Sequence, residues 1–104
     1  MRDEEKNLYC HHIGNGINSA SILLQVYERT KNLDRYQEKI SQEKKSFLAR
    51  IETLKKEVNF PNCSEDLIAL IEKTISNAQI NWEDPIRMRG YLNWILQTLK
   101  GLAH

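Results

Sequence analysis

The residues best equipped for chemistry in this 104-residue chain cluster near one end: Cys10-His11-His12, then Asn15 and Asn18. Neutral imidazole is a good nucleophile near pH 7, and a histidine that exchanges a group with another protein must face solvent among small polar neighbours. The same cluster does not suit a metal. Consecutive helical residues point in different directions, so Cys10, His11 and His12, with distant His104, do not converge on one ion, and no metal ligand set is expected. Cys10 and Cys63 show neither the paired spacing of a zinc site nor the density of a disulfide scaffold, and are expected as free thiols. Spacing supports no Ser-His-Asp or Cys-His catalytic set.

The element that must position these residues is ambiguous in sequence. Ile13, Ile17, Ala20, Leu24 and Tyr27 recur at alternating four and three residues, the seam of a packed helix. Against it stands Ile13-Gly14-Asn15-Gly16-Ile17, where each interior glycine costs a helix about 1 kcal/mol relative to alanine and Asn-Gly is a turn signal. Two readings follow: one helix over residues 4–31, or a loop with the helix starting at Asn18-Ser19. On the continuous helix, an advance of about 100° per residue puts His11 opposite the seam. His11, Asn15, Asn18 and Ile22 then form one exposed strip, and His12 falls on its flank.

Three further helices are expected. Tyr36, Ile40, Phe47, Ile51, Leu54 and Val58 line one face of a helix over 34–58, which Asn59-Phe60-Pro61-Asn62 breaks. Ser64 is placed as the next N-cap, with Glu65 and Asp66 in the first turn of a shorter helix over 65–80. Asp84-Pro85 starts the last, over 85–102, with Met88, Leu92, Ile95, Leu99 and Leu102 as its stripe. Trp82, Tyr91 and Trp94 are expected in core or interface positions. The fold class is therefore all-α and four-helix bundle-like: a helical hairpin plus two shorter helices, in a single domain over residues 1–104. Either the last two helices complete a bundle within the monomer, or the hairpin forms a homodimer.

Around His11 the residues reach a resemblance. Cys10-His11-His12-Ile13-Gly14-Asn15-Gly16-Ile17-Asn18-Ser19-Ala20 resembles the phosphoacceptor box of sensor histidine kinases, in the subgroup whose box reads His-Asn-Ile-Gly-Asn followed by Asn-Ser. In that family the box lies in the first helix of a dimerising hairpin. An attached ATP-binding domain phosphorylates its histidine, which passes the group to a receiver aspartate. The resemblance implies that His11 is the phosphoacceptor and that Asn15, four residues on, orients water. Asn18, Ile22 and Leu8 would dock the partner, and any Mg²⁺ would sit on that receiver. His12 stands where most members carry an acid that can act as general base, so base assistance would fall to His12, a flank residue. A weaker echo lies in Thr98-Leu99-Lys100-Gly101-Leu102-Ala103, similar to the sequence after the phosphoacceptor of monomeric histidine phosphotransfer domains, but Gln97 stands where their histidine would be.

Composition narrows the function further. Fifteen basic against fourteen acidic residues leave a net charge of +1 with no long run of one sign, so nucleic acid and membrane surfaces are not expected partners. No apolar run approaches the ~20 residues of a bilayer-spanning helix, and residues 1–6 lack a signal peptide's apolar segment, so a cytoplasmic location is expected. Nothing after Val58 carries the signature of the family's ATP-binding domain. This chain is thus expected to be no autonomous kinase and to bind no cofactor of its own. The expected function is a histidine phosphotransfer or receiver-binding adaptor in two-component signalling, partnered by a response-regulator receiver or a histidine kinase. The alternative is a small helical interaction module without phosphoryl chemistry, using the Leu8, Ile22 and Trp94 surfaces.

Overall fold

A computed structural model describes residues 1–103, and His104 lies outside the described residues. Four helices follow in order: α1 Asp3–Thr30, α2 Leu33–Glu57, α3 Glu65–Asn77 and α4 Pro85–Leu102. No strand occurs among the described residues. The ambiguity over residues 12–18 resolves to a continuous helix. Its stripe of Tyr9, Ile13, Ile17, Ala20 and Leu24 is buried against α2 and α4. Burying an Ile or Leu side chain contributes roughly 1.5–3 kcal/mol. The stripe therefore outweighs the cost of about 1 kcal/mol for each of Gly14 and Gly16.

The helix ends follow local chemistry. Lys31 closes α1 in the left-handed region at φ 60°, and two residues later α2 begins, with the Asn32 side chain accepting from the Arg35 N–H at 3.2 Å. This short connection forces α1 and α2 into an antiparallel hairpin. At the far end Asn59 takes φ 59°, the Phe60 N–H bonds to the Lys55 carbonyl at 2.9 Å and the Asn59 N–H to that of Lys56 at 3.2 Å. This is a Schellman stop built on asparagine. Asp84 caps α4 by accepting from the Ile86 and Arg87 N–H groups, with Pro85 at the first helical position.

Two expectations shift. Helix α3 ends at Asn77, three residues short of the expected end. The Trp82 indole N–H donates to the Ala78 carbonyl at 2.9 Å, and its buried ring packs on Phe47 and Tyr91, drawing the chain across the core. Ser64 flanks α3 but its hydroxyl makes no cap bond. It donates instead to the buried Glu5 carboxylate at 2.5 Å, and the Ser64 N–H reaches the same carboxylate at 3.0 Å. Glu5 also accepts from the Arg2 N–H at 2.9 Å, so one carboxylate closes the start of α1 and ties it to the start of α3.

Helices α3 and α4 complete the core within the chain. The joint is Thr74 on α3. Its hydroxyl donates to the Leu70 carbonyl and accepts from the Tyr9 hydroxyl of α1 at 2.7 Å, while its carbonyl accepts from the Tyr91 hydroxyl of α4 at 2.9 Å. Burial pushes the Tyr9 phenol up to about 12 and Tyr91 still higher, so both remain donors at any physiological pH. Thr74→Val strands the buried Tyr9 hydroxyl and is expected to cost about 1–3 kcal/mol in urea unfolding. Adding Tyr9→Phe to Thr74→Val then costs far less than Tyr9→Phe alone, because the partner has already gone.

Glu5 generates a pH prediction. Hydrogen bonds from the Ser64 hydroxyl, then from the Ser64 and Arg2 N–H groups, hold its carboxyl at about 2, well below its ordinary 4.5. A depressed carboxyl stabilises the fold above its unfolded pKa, and that contribution is lost as pH falls through the folded value. Stability is therefore expected to decline between about pH 4.5 and pH 2. Glu5→Gln removes this contribution, which acid titration of the two proteins by circular dichroism checks as a shallower slope in the variant.

Candidate functional site

On the continuous helix α1 the surface divides into four sectors. One carries the buried stripe. A second packs against α2 through His12 and Gly16, and a third turns to α4 through Gly14 and Glu28, whose carboxylate takes both ends of the Arg89 guanidinium. The remaining arc is free, and it carries His11, Asn15, Asn18 and Ile22. His11, Asn15 and Asn18 are exposed, and Ile22 is 51% exposed, one of few large apolar side chains so placed. Leu8, at the edge of the same arc, is partly buried and leans on the core. Trp94, named with them in the non-chemical reading, stacks on Tyr91 across α4 with the Lys73 ammonium over its face.

His11 and Asn15 touch. The Asn15 amide nitrogen lies 3.2 Å from His11 Nδ1, one helical turn away. In that orientation Nδ1 accepts and the ring proton sits on Nε2. Turning the Asn15 amide about its terminal bond puts its oxygen there instead, so that Nδ1–H donates and Nε2 presents a lone pair to solvent. The second form is the one a nucleophilic imidazole requires. Either way Nδ1 is engaged and Nε2 is the outward atom.

The neighbouring histidine has the opposite environment. His12 is 6% exposed, and its Nε2–H donates to the Glu57 carboxylate at the end of α2, 2.7 Å away. The His11 and His12 rings meet edge to face with centroids 5.2 Å apart, and no hydrogen bond joins them among the described residues. His12 is therefore tied to α2 through Glu57. Sequence placed it on the flank, and nothing local signals Glu57, forty-five residues away, as its partner.

Gly16 also faces α2. A Cβ built there would lie 3.2 Å from both Phe47 Cδ1 and Arg50 Cδ, so the missing side chain lets α2 come close and the Arg50 stem lie across α1. Gly14 meets only Leu99 Cδ1, at 4.0 Å. Gly16 therefore serves the packing of the hairpin itself. Beside the free arc, Ser19, Ile22 and Leu23 of α1 and Glu38, Lys39, Gln42 and Glu43 of α2 enclose an open groove of about 480 Å³. Gly14→Ala is expected to raise stability by about 0.5–1 kcal/mol through helix propensity. Gly16→Ala offsets the same gain by crowding the buried Phe47 ring, and chemical denaturation should rank it below Gly14→Ala and at or below the parent.

The cysteines are free and half-buried, and burial pushes both thiols above their ordinary range, which leaves them poor nucleophiles. Among the described residues, no cluster of three or more His, Cys, Asp or Glu is placed to hold a metal, and no helix is long and apolar enough to cross a membrane. His104, weighed as a distant metal partner, lies outside the described residues. Comparison with protein-family models, with curated proteins and with solved structures finds no match to this chain. The fold and the site define an all-α protein of four helices whose first helix presents a solvent-facing His-Asn pair beside an open groove.

Proposed function

We propose that the chain is a histidine phosphotransfer or receiver-binding adaptor of two-component signalling, acting in the cytoplasm and exchanging a phosphoryl group at His11 with a receiver aspartate. One observation carries the reading: residues 12–18 are helical, and His11 stands exposed on that helix with Asn15 on its Nδ1. A loop at 12–18 or a His11 buried against the bundle would have removed the geometric basis. In the transfer, the Nε2 lone pair attacks phosphorus, an N–P bond forms, and the P–O bond to the receiver aspartate breaks with the electron pair leaving on the carboxylate. The Nδ1 proton stays on the ring, where the Asn15 oxygen accepts it and steadies the positive charge. The receiver supplies Mg²⁺ and the acidic pocket. Ile22 and the adjoining α1/α2 groove give the receiver an apolar foothold about 16 Å from His11, a span of eleven residues at 1.5 Å each.

Receivers phosphorylated with acetyl phosphate, or a histidine kinase with ATP, test this directly. An acid-labile phosphoryl group is expected on the parent protein and absent from His11→Gln. Asn15→Asp, which holds the proton on Nδ1 with a full charge, is expected to speed labelling roughly threefold to tenfold, the kinetic equivalent of about 1 kcal/mol. If no receiver or kinase of the host organism labels the protein or is dephosphorylated through it, the relay reading fails. Binding of a receiver through Ile22 without label selects the adaptor form. Binding of some other helical partner there selects an interaction module without phosphoryl chemistry.

A further inference from the structure

Two buried polar atoms among the described residues lack any partner, His12 Nδ1 and Arg50 Nε, and both residues line the same cleft. The cleft is open, about 350 Å³, and is completed by Ser46, Ala49 and Thr53 of α2. Unpaired buried polar groups are rare in folded proteins and each calls for a cause. Here the two have complementary needs. The Nε2–H of His12 is committed to Glu57, so the neutral ring offers Nδ1 as a bare acceptor. Arg50 Nε–H is a donor on a full positive charge. Among the described residues Arg29, Arg35 and Arg50 have no carboxylate within 4 Å, and of these three Arg29 and Arg35 are exposed whereas Arg50 is half-buried.

We propose that this cleft between α1 and α2 binds a hydrogen phosphate group, free or as a monoester, with Arg50 on its oxygens and His12 Nδ1 on its P–OH. A protonated phosphate presents acceptors and a donor together, so it satisfies both orphan atoms at once. Sulfate and carboxylates carry no proton near pH 7 and satisfy only the arginine. The Ser46 hydroxyl sits on the same wall, and that of Thr53, which donates to the Ala49 carbonyl, can turn to the ligand. Entry requires the Arg50 side chain to swing, because both orphan atoms are closed off from solvent in the free protein. Gly16 places no side chain of its own against the arginine stem. The charged and titratable groups facing His12 are His11, Glu57 and Arg50. The ligand's negative charge thus meets the guanidinium while Glu57 remains on the far nitrogen of the ring.

The test is a titration of the ¹⁵N-labelled protein at constant ionic strength and pH 6.5, with inorganic phosphate, O-phosphoserine and sulfate in separate arms. The His12 ring nitrogens and Arg50 Nε are followed by NMR. Saturable shifts of both with phosphate are expected, with sulfate weaker by about tenfold, since one buried acceptor stays unpaired. Shifts in both phosphate arms identify a site for monoesters, and shifts with inorganic phosphate alone identify one for the free ion. Either supports the proposal. Arg50→Gln is expected to weaken binding at least tenfold, and Arg50→Lys, which keeps the charge and loses the fork, to weaken it also. His11→Gln is expected to bind as the parent does, which separates this site from transfer at His11. Sulfate matching phosphate, or unmoved His12 and Arg50 signals up to saturation of the surface shifts, overturns it.

Discussion

Residues 13–17 of α1, Ile-Gly-Asn-Gly-Ile, hold a helix that their local propensities oppose, and every feature of the site depends on that being so. The opposition amounts to about 2 kcal/mol from the two glycines. It is overcome because Ile13 and Ile17 bracket the segment and are both buried, with Tyr9 before them and Ala20 and Leu24 after. Isolated helices gain little from propensity alone, and most of their stability in proteins comes from packing one apolar face. The seam thus fixes the rotation of α1 about its axis, and that rotation places His11 outward and His12 inward. A break anywhere between them and Leu24 would lose both orientations.

The second half of the chain holds the seam through hydrogen bonds, none of which involves His11 among the described residues. Thr74 joins α1, α3 and α4 through one hydroxyl and one carbonyl, and Glu5 binds the first turn of α1 to Ser64. On α2, the Tyr36 hydroxyl donates to the Trp82 carbonyl at 2.6 Å and Lys44 reaches the Ile80 carbonyl, so the irregular segment between α3 and α4 is also held. Buried hydrogen bonds of this kind contribute modestly when made and cost more when one partner is lost. Their effect here is to specify one arrangement of the last two helices on the hairpin. The free arc of α1 takes no part in these bonds, and its residues stay exposed.

Much of this was legible in the sequence. The four helices, the Asp84-Pro85 start and the stop at Asn59 were written in local signals, because caps and prolines act within a few residues. The outward strip of His11, Asn15, Asn18 and Ile22 followed from periodicity once α1 was taken as continuous, a choice local signals left even. What periodicity did not carry was pairing across the chain. Glu5 reads as an ordinary first-turn acid and Ser64 as an ordinary cap, yet the two bond to each other. His12 reads as a flank residue, while its burial depends on Glu57 and on the approach of α2 that Gly16 allows. Helix α3 stops short of residue 80 for the same reason, since Trp82 is drawn in by Phe47 and Tyr91.

The adjacent histidines show how one residue of helical advance separates two chemistries. His11 has its inner nitrogen engaged by a neighbour on its own helix and its outer nitrogen in water, the arrangement for meeting another molecule. His12, about 100° further round, has its outer nitrogen locked to α2 and its other nitrogen enclosed beside Arg50. A ring held that way cannot turn to reach the free arc without giving up Glu57. His12 thus belongs to the hairpin's own polar cleft, apart from the exposed arc that carries His11 and Asn15.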